Sequence, residues 1–252
     1  MWTREALKTR GKESFKRNYW KCVLASLLLG ACTAGVAASS GSSAANTVRR
    51  ESAEQNLSSQ LSLLSPTQML VILVFVLGIV VITLIISTII TAFVANPVIV
   101  GGRRFYLTNR NENADISLFT YAFTSGKYGN VVITLFLKGL FLTLWSMLFF
   151  FPGAVKHYSY WMMEYILAEN PSISRKRAFE ISRQTMNGEK WNTFVLDLSF
   201  ILWILLSCCT CGILNVFYLN SYIHATEAEL YAVLREKALS QNIASIEELP
   251  GC

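Results

Sequence analysis

The chain has 252 residues, of which 53% are hydrophobic and 15% are charged, and its mean hydropathy is +0.41. A soluble globular domain of this length seldom has so few charged residues, so the composition favours an integral membrane protein. The formal net charge is +6, but the basic residues lie beside apolar runs and no nucleic-acid-binding motif is present. We therefore expect membrane lipids, with other membrane proteins as a further class, and no nucleic acid as partners.

Residues 1–21 form a basic segment. Its Thr3–Tyr19 stretch has only two acidic residues against six cations, which are Arg4, Lys8, Arg10, Lys12, Lys16 and Arg17. This pattern predicts a helix on the cytoplasmic surface of the membrane, and so a cytoplasmic amino terminus.

Residues 22–94 are predicted to form a first transmembrane hairpin around a polar external loop at 39–66. Its second span is uncharged from Met69 to Val94, which at about 1.5 Å of rise per residue exceeds the roughly 30 Å of bilayer hydrocarbon. We expect this helix to end at Asn96-Pro97, because the residue before a proline is disfavoured in a helix.

The first span has an alternative interpretation. Leu29-Gly30-Ala31-Cys32 follows a charged region and a short apolar run, and so resembles a bacterial lipobox. In that interpretation Cys32 is a lipidated new amino terminus. In both interpretations the chain after Cys32 lies outside.

Residues 95–130 are predicted to be a cytoplasmic amphipathic loop, with an apolar face of Leu118, Phe119, Ala122 and Phe123. Gly101-Gly102 lacks the preceding strand and the lysine of a phosphate-binding loop. Residues 131–168 are predicted to form a second hairpin that turns at Pro152-Gly153. Its return segment, Ala154–Ala168, is expected to cross, because the cations that follow would otherwise lie outside.

Those cations belong to a basic amphipathic helix predicted within 169–192, with Ser174 as its N-cap and Gly188 at its end. As contacts to anionic lipid we expect Arg175, Lys176, Arg177, Arg183 and Lys190. Residues 193–225 are predicted to form a third hairpin that turns at Cys208–Gly212. Residues 226–252 are predicted to be a polar cytoplasmic tail.

The three outward-going helices begin with similar residues, which are Arg17–Lys21, Gly126–Asn130 and Gly188–Asn192. Either the chain repeats a unit of surface helix plus hairpin, or these are the Tyr, Trp and Lys residues that helices collect at the interface. Both interpretations predict one all-α polytopic membrane domain. It has about six transmembrane helices in three hairpins, cytoplasmic amphipathic helices and two cytoplasmic termini.

Three ionisable residues fall inside the predicted spans: Lys138, Glu164 and Asp197. Each lies roughly 8–10 Å from its cytoplasmic boundary at about 1.5 Å per residue, so the three can share one layer. An unpaired charge is costly in the bilayer, so we expect Lys138 to face Asp197 or Glu164. The functional interpretations are a proton- or cation-handling site and a polar cavity for a substrate. The structural interpretations are an ion pair that fixes helix register and side chains that snorkel to the nearby interface.

Cys208, Cys209 and Cys211 contain a C-x-x-C spacing, which is either a redox or metal pair or a set of small residues at a helix end. The chain has two histidines and no Ser-His-Asp or metalloprotease pattern. We therefore expect no enzymatic activity, no cofactor and no metal site.

Several motifs resemble the bacterial integral membrane proteins catalogued as domain of unknown function 975. They are Asn96-Pro97, Gly101–Phe105, Pro152-Gly153, Tyr158–Tyr160, Tyr165–Ala168, Asn170-Pro171, Gly188–Trp191 and Leu198–Phe200. The resemblance implies a bacterial plasma-membrane location, but the family brings no established activity or catalytic residues. The Ser/Ala-rich loop and the Cys208 cluster are not features of that family.

Two functions are consistent with this sequence. We expect a non-enzymatic membrane component that organises partners or anionic lipid. The alternative is a small solute or ion transporter, or an export accessory, that uses the layer of Lys138, Glu164 and Asp197.

Overall fold

The computed structural model describes residues 2–37, 65–148, 150–210 and 212–251, and every regular element in these ranges is helical, which confirms the all-α class. The α-helices are α1 (Arg4–Arg17), α2 (Tyr19–Ala37), α3 (Pro66–Ile90), α4 (Asn96–Thr108), α5 (Tyr121–Thr124), α6 (Tyr128–Leu148), α7 (Phe150–Ser159), α8 (Met163–Glu169), α9 (Arg175–Thr185), α10 (Lys190–Leu198), α11 (Ile201–Cys209) and α12 (Asn220–Ser240). Thr91–Ala95 and Asn215–Leu219 are π-helical, and Ile116–Thr120 is a 3₁₀ helix.

The chain divides into two compact units, one of residues 33–91 and one of residues 1–32 with 92–252. In the smaller unit, α3 begins with a capping box, in which Ser65 Oγ accepts from the Gln68 amide and Gln68 Oε1 accepts from the Ser65 amide at 2.9 Å. The large apolar side chains of α3 are exposed along its length. Such an all-round apolar surface suits lipid. Most of the predicted external loop, at 38–64, lies outside the described residues.

Three helical stretches in the described ranges are long and apolar enough to cross a membrane, judged by length and composition. They are Pro66–Thr108, Tyr128–Leu148 and Lys190–Cys209, and a shorter apolar helix occupies Tyr19–Cys32. These stretches coincide with segments predicted to span, so the chain has the composition of a membrane protein.

The predicted helix end at Asn96-Pro97 is wrong, because helical backbone continues to Thr108. Pro97 lies in the first turn of α4, where a missing N–H is tolerated. The π-helical turn just before it, Thr91–Ala95, adjusts the hydrogen-bond pattern where the proline interrupts it. As a consequence, Gly101–Phe105 lies in a helix and not in a surface loop.

The larger unit has a helical core built from α1, α4, α8, α9 and α12. Helix α1 packs closely on α12, since a Cβ on Gly11 would lie 2.9 Å from Thr226 Cα. The rings of Tyr165 in α8 and Tyr231 in α12 stack with centroids 4.9 Å apart. Both rings are fully buried.

The predicted tail at 226–252 is therefore wrong for its first half, because α12 continues to Ser240 and buries Leu230, Tyr231 and Leu234. The stretch is polar, so its sequence does not indicate that it packs in the helical core. Its charged residues form ion pairs with residues of other segments. The pairs are Arg110–Glu229 at 3.1 Å, Arg235–Glu169 at 3.3 Å and Lys237–Glu189 at 2.9 Å.

The second hairpin turns earlier than predicted. Helix α6 ends at Leu148 and α7 begins at Phe150, so Pro152 and Gly153 lie in the first turn of α7. A Cβ on Gly153 would lie 3.0 Å from Ser146 Cα. The glycine thus permits close packing of α7 on α6.

Two predicted spans are interrupted. The return segment at 154–168 consists of α7 and α8, separated by a break at Tyr160–Met162, and α8 is buried except at Glu164. The outward segment of the third hairpin consists of α10 and α11, separated at Ser199-Phe200. The predicted turn after α11 is present at Gly212, which has a φ of 81°.

Helix α9 agrees with its prediction in position and in pattern. The Ser174 hydroxyl accepts a hydrogen bond from the Arg177 amide, and Gly188 follows the helix with a φ of 83°. Its apolar face, which includes Ala178 and Ile181, is buried in the helical core. This face contacts protein, so only the charged face is free for lipid.

Candidate functional site

A charged cluster lies where α4, α6, α8 and α12 meet. Lys138 Nζ donates to Glu164 Oε1 at 2.8 Å, and Arg103 Nε donates to Glu164 Oε2 at 3.0 Å. Arg103 Nη1 also lies 2.5 Å from Glu227 Oε2. His224 Nδ1 lies 3.0 Å from the same Glu227 oxygen. These five residues are the charged cluster.

Arg103 is the centre of the charged cluster. Beyond the two carboxylates, its Nη1 donates to Tyr165 Oη at 3.1 Å, and its guanidinium lies 4.9 Å from the centroid of the Tyr165 ring. The side chains of Arg103, Lys138, Glu164 and Glu227 are between 11% and 22% exposed. Buried charges are costly unless they are paired and hydrogen-bonded, and here two cations face two carboxylates.

The structure brings together two of the three residues predicted for the intramembrane layer. Lys138 and Glu164 are in contact, whereas Asp197 is not part of the charged cluster. The Tyr158 hydroxyl donates to Asp197 Oδ2 at 3.0 Å instead. The reason is that Asp197 lies on α10, which packs on α7 at this point.

Sequence reasoning missed Arg103, His224 and Glu227. A helix end at Pro97 places Arg103 in a surface loop, and the polarity of 226–252 places Glu227 in a tail. The i, i+3 spacing of His224 and Glu227 on a continuing helix was the available signal.

The five cations predicted to contact lipid are not equivalent. Arg175, Lys176 and Arg183 are exposed on α9, and Lys190 is half-buried. Arg177 Nε donates to Glu248 Oε1 at 2.6 Å, and Arg177 Nη2 donates to the Ile243 carbonyl at 2.7 Å. Arg177 therefore fastens the carboxyl-terminal segment, 241–251, to α9.

The contact between Arg177 and Glu248 shifts both groups. The hydrogen bonds from the guanidinium lower the pKa of the Glu248 carboxyl from its ordinary value. The same bonds raise the pKa of Arg177. Each group thus stabilises the charged form of the other.

The cysteines do not form a recognisable centre in the described part of the chain. Cys208 and Cys209 are free and exposed at the end of α11, and Cys211 lies outside the described residues. Within the described ranges no group of three His, Cys, Asp or Glu side chains is placed to hold a metal ion. Cys32 is free and lies within α2. Cleavage before Cys32 would remove α1 from its contact with α12. The lipidation of Cys32 stays a prediction.

No curated protein and no solved structure matches the chain. One family model does match, over residues 152–238, which run from the first turn of α7 almost to the end of α12. The matched segment includes Glu164, His224 and Glu227 of the charged cluster but neither Arg103 nor Lys138. The family is described as "Protein of unknown function (DUF975)", and the match supports the resemblance seen in the sequence over residues 152–238.

Proposed function

We propose that the protein is a non-enzymatic component of a bacterial plasma membrane that organises anionic lipid or partner proteins at one face of the bilayer. The charge balance of the charged cluster carries this proposal. Arg103 and Lys138 are both engaged by carboxylates, and Glu164 and Glu227 are both engaged by cations. A set of mutually satisfied charges on four helices suits a fixed connection better than a reactive group.

The proposed topology has three apolar hairpins, six membrane segments and two cytoplasmic termini. Its support is that the helical core takes helices from all four predicted cytoplasmic segments, which are 1–21, 95–130, 169–192 and 226–252. The basic residues on these four segments favour the cytoplasmic side.

The proposed lipid contacts are Arg175, Lys176 and Arg183. Because the apolar face of α9 is buried in the helical core, these three cations are on the face that points away from it. A Lys or Arg near an anionic leaflet contributes on the order of 1 kcal/mol to membrane attraction.

The test is a lipid titration of the purified full chain in detergent, followed by native mass spectrometry. We expect tighter binding of phosphatidylglycerol than of phosphatidylcholine. The variant R175Q/K176Q/R183Q should bind phosphatidylglycerol at least about tenfold more weakly. The charge-conserving control R175K/K176R/R183K should bind it like the wild type. Equal binding of the two lipids by the wild type would refute the lipid part of the proposal.

A second candidate function is transport of protons or a small cation. It is favoured by His224, a titratable ring whose Nδ1 lies 3.0 Å from Glu227 and 3.1 Å from Arg103 inside the charged cluster. In proteoliposomes with an internal pH dye, transport predicts a flux that Glu164→Gln abolishes. Asp197→Asn is the matched control, since Asp197 lies outside the charged cluster.

A further inference from the structure

A groove of about 890 Å³ lies between α1 and α10. One wall carries Arg4, Lys8 and Lys12, whose spacing of four residues puts them on one face of α1. The other wall includes Trp191 and Val195 of α10. We call this feature the basic groove.

The charge of the basic groove is not neutralised by its own walls. Three cations and one carboxylate, Glu5, line it. Lys8 is partly engaged, since its Nζ donates to the Ser199 carbonyl at 3.3 Å and lies 4.3 Å from the centroid of the Phe200 ring. Arg4 and Lys12 are exposed, and neither forms an ion pair within the described part of the chain. Their charges are available to an anion.

The position of the basic groove relative to the bilayer follows from an aromatic cluster beside it. Rings from α1, α2, α11, the π-helical turn Asn215–Leu219 and α12 contact one another with centroids 5.1 to 6.1 Å apart: Phe15, Tyr19, Trp203, Tyr218 and Tyr222. Tyr222 also lines the basic groove. Trp191, which also lines the basic groove, is 71% exposed. Because exposed Trp side chains concentrate at the headgroup level of a membrane, this ring favours a position of the basic groove near the lipid phosphates.

An apolar stripe leads out of the basic groove along α10 and α11. Trp191, Val195 and Leu198 share a face of α10, and Leu202 and Leu205 share a face of α11, past the break at Ser199-Phe200. Leu198, Leu202 and Leu205 are 47%, 73% and 58% exposed, and they belong to the stretch Lys190–Cys209, which is apolar enough to cross a membrane. A small soluble anion would bury none of this apolar surface, whereas an acyl chain can pack along it.

We infer that the basic groove binds one anionic phospholipid, with its phosphate between Arg4 and Lys12 and an acyl chain along Leu198, Leu202 and Leu205. This inference deepens the lipid part of the proposed function by giving the lipid a specific site, in addition to the general attraction by α9.

The experiment uses the purified full chain in detergent, titrated with phosphatidylglycerol and followed by native mass spectrometry. The test variant is R4Q/K12Q, which leaves the contacts of Lys8 intact. The matched control is R10Q/K16Q, which removes two exposed cations of α1 that do not line the basic groove. Circular dichroism confirms that each variant is folded before the titration.

We expect R4Q/K12Q to bind phosphatidylglycerol about 30-fold more weakly than the wild type, because two cations near the phosphate are lost. The control R10Q/K16Q should lose no more than about threefold. Equal losses in the two variants would show general attraction to α1 and would overturn the specific site, as would no loss in either.

Two further arms separate the remaining outcomes. Competition by glycerol 3-phosphate at the concentration of the lipid would show a soluble phosphate site and would overturn the lipid assignment. If R175Q/K176Q/R183Q loses phosphatidylglycerol binding while R4Q/K12Q retains it, the proposed function is supported and the lipid site in the basic groove is refuted. If the wild type does not prefer phosphatidylglycerol to phosphatidylcholine, both fall.

Discussion

Arg103 is expected to be the residue of the charged cluster whose loss destabilises the protein most. Replacing it with methionine keeps much of the side-chain length but removes the only guanidinium that contacts both Glu164 and Glu227 among the described residues. Lys138 then balances one carboxylate, and the other keeps only the His224 ring and the Tyr165 hydroxyl as partners. One buried carboxylate without its partner typically costs about 3–5 kcal/mol of stability.

The free energy of unfolding can be measured by titrating the micelle-bound protein with sodium dodecyl sulfate and following circular dichroism. Lys138→Met should cost less than Arg103→Met, because Arg103 still bonds to Glu164 at 3.0 Å. Arg104→Met is the matched control in the next position. Arg104 donates to the Ala168 carbonyl at 2.6 Å and contacts no carboxylate in the described residues. Its loss should cost about 1–2 kcal/mol.

The double variant R103M/E227Q distinguishes lost packing from unbalanced charge. Removing the carboxylate that Arg103 leaves unpaired should recover at least half of the stability lost in R103M, since one cation then faces one carboxylate. If the double variant is no more stable than R103M, or if R103M costs no more than R104M, the charge-balance argument is wrong.

Three shorter predictions concern packing, pH and topology. Gly11→Ala should destabilise the protein by about 1–3 kcal/mol, because the added Cβ meets the backbone of α12. Gly139→Ala should be neutral or slightly stabilising, because a Cβ added there has no atom within 4 Å. Thermal unfolding of the two variants measures the difference. The folded-state pKa of Glu248 is lowered, so its contribution to the stability of the carboxyl-terminal segment is complete above about pH 4.3 and is lost as the pH falls through the folded-state value. Amide hydrogen exchange in residues 241–251 should rise over that pH range in the wild type. Arg177→Gln should remove this pH dependence. A single cysteine at Ser172 in intact cells should resist labelling by an impermeant maleimide, and labelling from outside would contradict the proposed topology.

Much of the local structure was predictable because it depends on short-range chemistry. The Ser174 cap and the positive φ at Gly188 follow from residue type, and the structure has both. The sequence predicts that Lys138 pairs with Glu164 or Asp197, because a lone lysine in a span requires a carboxylate nearby, and the structure has the pair with Glu164.

The rest was hidden because it depends on which helices pack together. A proline normally ends a helix. Here helical backbone continues past Pro97 by way of the π-helical turn before it, and that turn is visible only in the structure. Arg103 and Glu227 looked solvent-exposed because each is polar and lies near a predicted boundary. They are more than a hundred residues apart in the sequence, and nothing local signals that they pair.

The short length of α11 determines how deep the third hairpin reaches. Helix α11 has only nine residues, or about 13 Å, before the turn at Gly212. That is less than half of the roughly 30 Å hydrocarbon thickness. Helix α11 alone therefore cannot cross, and the stretch Lys190–Cys209 is long enough only because it includes α10.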